Sequence, residues 1–304
     1  MERESFRGLM DKLVEKNKAQ GIILKGIDGF YYVDTNDLVL ECKARGIFRK
    51  KGMSPLAGDR VVVSVDTDDM SMIEEILPRK NQFVRPPIAN IDTLLIVASV
   101  KSPDPNLYSI DKLTVIAQLK EVQAVLVFTK MDLGDTSELE ELYSRAGFPT
   151  IVLSNVTGEN VDSLRPYLGK GITALAGYSG VGKSSLVKYL IPELEIEVGE
   201  ISRKLRRGKQ TTRESTLYPY EEGYVTDTVG FSNLELRTYK NELTTDNLKC
   251  CFPEFEPYIG KCRFTSCSHT VEKGCAIIEA VNAKQISVSR HESFCRMYRE
   301  LKEL

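Results

Sequence analysis

Histidine is scarce in this 304-residue chain: His269 and His291 are the only two, too few for multi-histidine metal catalysis and poor material for a His-dependent hydrolytic triad. Long hydrophobic runs are missing as well. The longest apolar stretches, Thr93 to Val100 and Ala124 to Phe128, fall far short of the roughly 20 residues that cross a bilayer. Charge of one sign is not in excess either, since 41 basic and 43 acidic residues leave −2. Any nucleic-acid surface must therefore be a local patch. The opening MERESFRGLM mixes acids and bases without an apolar core, so no secretory signal is expected and the cytoplasm is the expected compartment.

With 42% hydrophobic and 28% charged residues, the composition is that of a globular protein long enough for about two domains. One local basic run stands out: Arg203, Lys204, Arg206, Arg207, Lys209 and Arg213 occur without an intervening acid. It reads either as a phosphate-facing surface or as a solvated loop. The seven cysteines are odd in number and three crowd around His269, which favours a metal over disulfides.

From Gln20 to Ala44 apolar and polar residues alternate around the turn-like pairs Asp28-Gly29 and Asn36-Asp37, and RVVVSV and Met72 to Ile76 continue the pattern. Four or five strands in so short a span suit a small barrel of the oligonucleotide-binding (OB) kind; an SH3-like barrel or a sandwich fits the same pattern. After the stiff Arg85-Pro86-Pro87, strands and helices alternate: TLLIVASV, a helix over 109–120, AVLVF, a helix over 137–145, TIVLS, ITALAG. Such alternation predicts a mostly parallel sheet covered by helices. From about Tyr239 the texture becomes helical and cysteine-bearing, ending in a charged helix over 287–304. The expected division is residues 1–76, 77–238 and 239–304.

The strongest chemical signal comes after the strand ITALA: Gly177, Tyr178, Ser179, Gly180, Val181, Gly182, Lys183 and Ser184 spell GxxxxGK[ST], with Ser185 next. Glycines let backbone amides turn around a β-phosphate, a helix N-terminus adds its positive dipole, Lys183 reaches the β- and γ-phosphates, and Ser184 offers a hydroxyl to Mg²⁺. Upstream, Thr129, Lys130, Met131 and Asp132 resemble the [NT]KxD element of GTPases. There the carboxylate accepts from the ring N–H and exocyclic amine of guanine while the Lys stem covers the base. Ser154, Asn155, Val156, Thr157 and Gly158 resemble the SAK-type loop beside the guanine carbonyl, with Asn155 and Val156 replacing its small residue and Lys. Asp227, Thr228, Val229 and Gly230 have the form DxxG, whose Asp serves Mg²⁺ and whose Gly amide meets the γ-phosphate. Thr211 and Thr212 sit where a switch threonine would close over the metal.

The order is unusual, because the base-reading elements precede the phosphate loop. One sheet can still be assembled if the chain is circularly permuted. That order, the N-terminal barrel, the RPPIANID connector and the cysteine cluster closely resemble the circularly permuted, ribosome small-subunit-dependent GTPases of the RsgA/YjeQ family, over essentially the whole chain. The resemblance implies an OB-fold RNA-binding barrel, a GTPase domain using Mg²⁺ with GTP, and a partner in the small ribosomal subunit and its rRNA. A monomer without membrane attachment is expected.

Independently, Cys262, Cys267, His269 and Cys275 offer three thiolates and one imidazole, a closed tetrahedral set suited to structural Zn²⁺. Two residues bear on turnover, of which the first departs from the family pattern. Gln210 stands where the family places a switch histidine, and Phe231 where many small GTPases carry a water-orienting Gln. The expected catalytic set is thus Lys183, Thr212, Asp227, Gly230 and Gln210, with slow intrinsic turnover that needs a partner. Two rivals remain: a P-loop ATPase or small-molecule kinase, which leaves TKMD and SNVTG unexplained, and a non-catalytic nucleotide-gated RNA-binding module.

Overall fold

The computed structural model describes residues 18–50, 52–65, 70–191, 215–227 and 235–304. Alternating burial shapes the first strands: β1 (Lys18–Ile27), β2 (Phe30–Asp34), β3 (Val39–Ala44), β4 (Arg60–Ser64) and β5 (Ser71–Ile76). They close in the order β1-β2-β3-β5-β4, with β4 pairing back onto β1 and β3 running parallel to β5. A short helix, α1 (Gly46–Lys50), comes after β3. Ring closure excludes the sandwich, and the five-stranded order is that of an OB-type Greek key. Ile23, Val33, Leu40, Cys42, Val61, Val63 and Ile73 fill the interior.

The barrel is joined to the central sheet by more than a tether. Strands β6 (Gln82–Phe83) and β7 (Ile88–Ala89) form a small hairpin whose Ala89 amide donates to Ala57 of the barrel at 2.9 Å. Asn90 Nδ2 donates to the Gly58 carbonyl at 2.9 Å, and Arg79 forks onto the fully buried Asp59 at 2.6 and 2.7 Å. Farther along, Tyr224 OH reaches Asp34 Oδ2 at 3.0 Å. Connector side chains thus satisfy backbone groups that the close approach would otherwise bury unpaired.

The central sheet contains β8 (Thr93–Ser99), β9 (Gln123–Thr129), β10 (Thr150–Val152), β11 (Lys170–Ala176), β12 (Tyr218–Tyr220) and β13 (Glu222–Asp227). In space the order is β10-β9-β8-β11-β13-β12, parallel except for β12. Every residue of β8 is buried, as expected of a central strand covered on both faces. Leu94 and Ile96 point into one core with α2 (Leu107–Leu119) and α3 (Ser137–Arg145), whereas Leu95 and Val97 point into another with α4 (Lys183–Leu190). The permuted order puts the strand before the phosphate loop, β11, between β8 and β13.

The C-terminal part differs in detail from the helical expectation. Residues 236–239, 248–251 and 253–258 form short 3₁₀ segments, and regular α-helix begins only with α5 (Ala276–Asn282) and α6 (Val288–Lys302). Pro253 and Pro257 lack the amides that a longer helix needs. Phe252 and Phe255 stack, Phe294 meets both edge-on, and the three rings, with centroids 5.0 to 5.4 Å apart, share the core of α2 and α3. Among the described residues no helix is long and apolar enough to cross a membrane.

Candidate nucleotide and metal sites

The loop of residues 177–182 leaves the C-terminal end of β11 and runs into α4, as the strand-loop-helix motif requires. Gly177 has φ +142°, and a Cβ there would lie 2.0 Å from the Val97 carbonyl oxygen. Gly182 has φ +97°, and its Cβ would meet Asn155 Nδ2 at 2.6 Å. Only glycine fits either position. Lys183 Nζ donates to the carbonyls of Gly177 and Tyr178, both at 2.8 Å, so the ammonium is held over the loop.

Segments distant in sequence converge on this loop. Thr129, at the end of β9, donates from Oγ1 to the Val181 carbonyl at 2.5 Å. Lys130, in the left-handed region at φ +61°, donates from Nζ to the Gly180 carbonyl at 3.0 Å and also to the Ser102 carbonyl. Asp132 accepts from Ser154 Oγ at 2.6 Å, which fixes its carboxylate, and the same hydroxyl oxygen receives the amides of Val156 and Thr157 at 3.3 Å. Asn155, unusual for a loop of this type, donates from Nδ2 to the Gly182 carbonyl at 3.0 Å. TKMD, SNVTG and GYSGVGKSS therefore form one constellation.

Asp227 closes β13, and its backbone pairs with Leu175, two residues before Gly177. Gln210, Thr211, Thr212, Gly230, Phe231 and the basic run from Arg203 to Arg213 lie outside the described residues. A cavity of about 330 Å³ borders the phosphate loop on the side of α2, lined by Ser99, Pro103, Asn106, Ser109, Gly177 and Tyr178. None of Lys130, Asp132 and Ser154 lines it, so it is separate from the loops of residues 129–132 and 154–158.

In the C-terminal part the ligand atoms of Cys262, Cys267, His269 and Cys275 all lie within 4.8 Å of one another. Cys262 Sγ and Cys275 Sγ are 3.8 Å apart, and His269 Nδ1 is 3.4 and 3.5 Å from them. Tetrahedral bonds of about 2.3 Å to sulfur and 2.0 Å to nitrogen give edges of about 3.5 to 3.8 Å, so the donor set fits a zinc ion. Burial pushes the Cys267 thiol up to about 12 and lowers the His269 imidazolium below its usual value, each disfavouring the charged form of the group. Glu272 caps the ligand loop, accepting the Ser268 amide at 2.8 Å and the Thr270 amide at 3.1 Å. His291 Nε2 donates to the His269 carbonyl at 2.8 Å. Cys251 is buried with its thiol pushed up to about 12, Cys250 is exposed, and neither belongs to the cluster.

Several supporting residues carried no signal in the sequence. Arg290, on α6, is buried against Asp111 (2.6 Å), Thr114 (3.1 Å) and Glu254 (2.6 and 3.2 Å), tying the C-terminal part to α2. Nothing in the composition of α6 separates Arg290 from its exposed neighbour Arg296. The link between Asn155 and Gly182 left one clue in the sequence, a larger polar residue where the loop type carries a small one.

Sheet order and converging loops define the class: a P-loop GTPase domain in circularly permuted order, carried with an N-terminal barrel and a Cys/His-bearing C-terminal part. The family description RsgA GTPase matches residues 76–237, and RsgA N-terminal domain matches residues 20–73. The chain belongs to the RsgA GTPase family and is a GTP hydrolase of that family. It is 40% identical over 291 residues to the small ribosomal subunit biogenesis GTPase RsgA of Ruminiclostridium cellulolyticum, covering 93% of this chain and 94% of that protein. The protein of the same name from Caldanaerobacter subterraneus is 41% identical over 290 residues, covering 94% of this chain and 97% of its own. Among solved structures, YjeQ from Thermotoga maritima superposes with a TM-score of 0.81 at 35% identity, covering 94% of this chain and 99% of that one. YloQ, described as a circularly permuted GTPase, gives 0.77 at 30% identity, covering 94% and 96%.

Proposed function

We propose that this protein binds the small ribosomal subunit during its late maturation and hydrolyses GTP to GDP and phosphate with stimulation by that subunit. The observation that carries the proposal is the convergence of Thr129, Lys130 and Asn155 on the backbone of residues 180–182, which sets a guanine-type carboxylate beside a phosphate loop. Asp132, oriented by Ser154, reads the base; Lys130 and Thr129 brace the loop beneath it. The amides of residues 177–184 and Lys183 hold the β- and γ-phosphates, so the attacking water meets a fixed γ-phosphorus in line with its leaving group. Ser184 and Asp227 are the groups suited to hold a Mg²⁺ ion carried in with the triphosphate, which would supply charge neutralisation there. By sequence, Thr212 joins them, Gly230 meets the γ-phosphate, and Gln210 contacts the water.

The role in subunit biogenesis rests on the names of the relatives and on an OB-type barrel, a fold suited to RNA. The expected division of labour is RNA contact by residues 1–76, nucleotide chemistry by 77–238 and a structural Zn²⁺ in 239–304, in a monomer working in the cytoplasm. GTP hydrolysis measured with and without purified small subunits tests the proposal. Subunit-dependent stimulation is expected. Equal rates would contradict it and favour a nucleotide-gated binding module.

A further inference from the structure

A row of four residues, Glu300, Tyr108, Ser109 and Tyr178, runs from the C-terminal helix to the phosphate loop. Glu300 on α6 accepts from Tyr108 OH at 2.6 Å, and the Arg296 guanidinium lies 3.8 Å from the centre of the Tyr108 ring. Arg296 is itself 3.5 Å from Glu300, so one turn of α6 grips the phenol by both its hydroxyl and its face. The next residue, Ser109, stands in the first turn of α2, where its amide is capped by Asn106 Oδ1 at 3.0 Å. Ser109 Oγ shares a hydrogen bond of 2.7 Å with the hydroxyl of Tyr178, the second residue of the phosphate loop. The Tyr178 carbonyl is one of the two that hold Lys183.

The geometry points to a positioning chain, Glu300–Tyr108–Ser109–Tyr178, by which the C-terminal helix sets the conformation of the phosphate loop and hence the affinity for nucleotide. Two features make it a lever rather than a chance row of contacts. The α2–α6 contact is anchored farther along both helices by buried Arg290 and Asp111, so the two helices are fastened to each other at two places. Among the described residues, the α2 side of the phosphate loop borders the cavity of about 330 Å³ rather than packed side chains, and the Tyr178–Ser109 bond spans from the loop to the helix there. A partner that engages the C-terminal part can therefore bias the phosphate loop without touching nucleotide. Tyr108, Ser109 and Glu300 are positioning residues in this scheme, which rests on the reading of residues 177–184 as the nucleotide site.

The test measures binding of a fluorescent GDP analogue to the full-length protein and its variants. Glu300→Ala and Ser109→Ala are expected to weaken binding about three- to tenfold, the size of one lost hydrogen bond. Glu300→Gln keeps an acceptor for Tyr108 and should restore wild-type affinity, which a general loosening of the fold would not do. Adding Glu300→Ala to Tyr178→Phe should weaken binding no further than Tyr178→Phe alone, because both cut the same chain. Wild-type affinity in Glu300→Ala, equal weakening by Glu300→Gln, or full multiplication in the double variant would each overturn the inference. Failure of the unaltered protein to bind the analogue would instead overturn the nucleotide-site reading beneath it.

Discussion

Arg290 offers the sharpest perturbation of the architecture. Its side chain is 1% exposed and faces two carboxylates, Asp111 at 1% and Glu254 at 5%. Burial alone would lower its pKa, but the two carboxylates outweigh that and hold it above the ordinary arginine value, so the group stays charged at any working pH. Arg290→Ala leaves both carboxylates without their cation and removes a guanidinium lying 4.6 Å from the Phe252 ring. Breaking a buried pair in this way costs about 3 to 5 kcal/mol. At about 2 to 4 °C per kcal/mol for a unit of this size, the thermal midpoint should fall by about 6 to 20 °C. Arg290→Lys should lie between, since an ammonium cannot reproduce the fork onto Glu254. Asp111 Oδ2 has no partner, which marks the cluster as incompletely compensated. Tyr143 OH also donates to Asp111 Oδ1 at 3.0 Å, so the combination Arg290→Met, Asp111→Leu, Glu254→Leu and Tyr143→Phe should recover most of the loss. Calorimetry of the full chain provides the assay. A midpoint within about 2 °C of wild type for Arg290→Ala would refute the claim that this network fastens α6 to α2.

The two sites supply the other predictions. Chelation should remove one zinc per chain and lower the thermal midpoint, and Cys275→Ser should reproduce both effects by metal analysis and melting. Gly182→Ala forces a Cβ against Asn155 Nδ2 at φ +97°, so nucleotide binding should fall by more than tenfold in a titration, whereas an alanine at exposed Gly52 should leave it unchanged. Glu272 is pulled two ways: burial favours its neutral form, yet hydrogen bonds from Ser268 and neighbouring amides hold its pKa down to about 2. The stability it contributes is present above about pH 4.5 and lost as pH falls toward 2. Melting curves of Glu272→Gln between about pH 5 and pH 3 should accordingly fall less steeply than those of wild type.

Much of the site was legible because its chemistry demands rare patterns. GYSGVGKSS needs glycine where φ is positive and the backbone approaches closely, and the geometry at Gly177 and Gly182 supplies that reason. The sheet was legible from runs such as TLLIVAS, buried along their whole length. The Cys/His cluster was legible because one of two histidines fell among three cysteines. What stayed hidden depends on tertiary contact. Arg290 looks like any surface arginine until Asp111, 179 residues away, is folded against it. The extent of regular helix after Tyr239 was overstated because hydrophobic spacing there reflects a shared core rather than a continuous helix. The Asn155 side chain, which departs from the usual small residue, proves to be a bond to the phosphate loop.

The central claim is that a carboxylate upstream in sequence selects the purine whose phosphates sit on a loop downstream. Asp132→Asn replaces an acceptor pair with one donor and one acceptor, which matches xanthine in place of guanine. Titration of that variant with guanosine and xanthosine diphosphates should show guanine affinity falling by at least about tenfold while xanthine affinity rises above it. Unchanged preference for guanine would contradict the account.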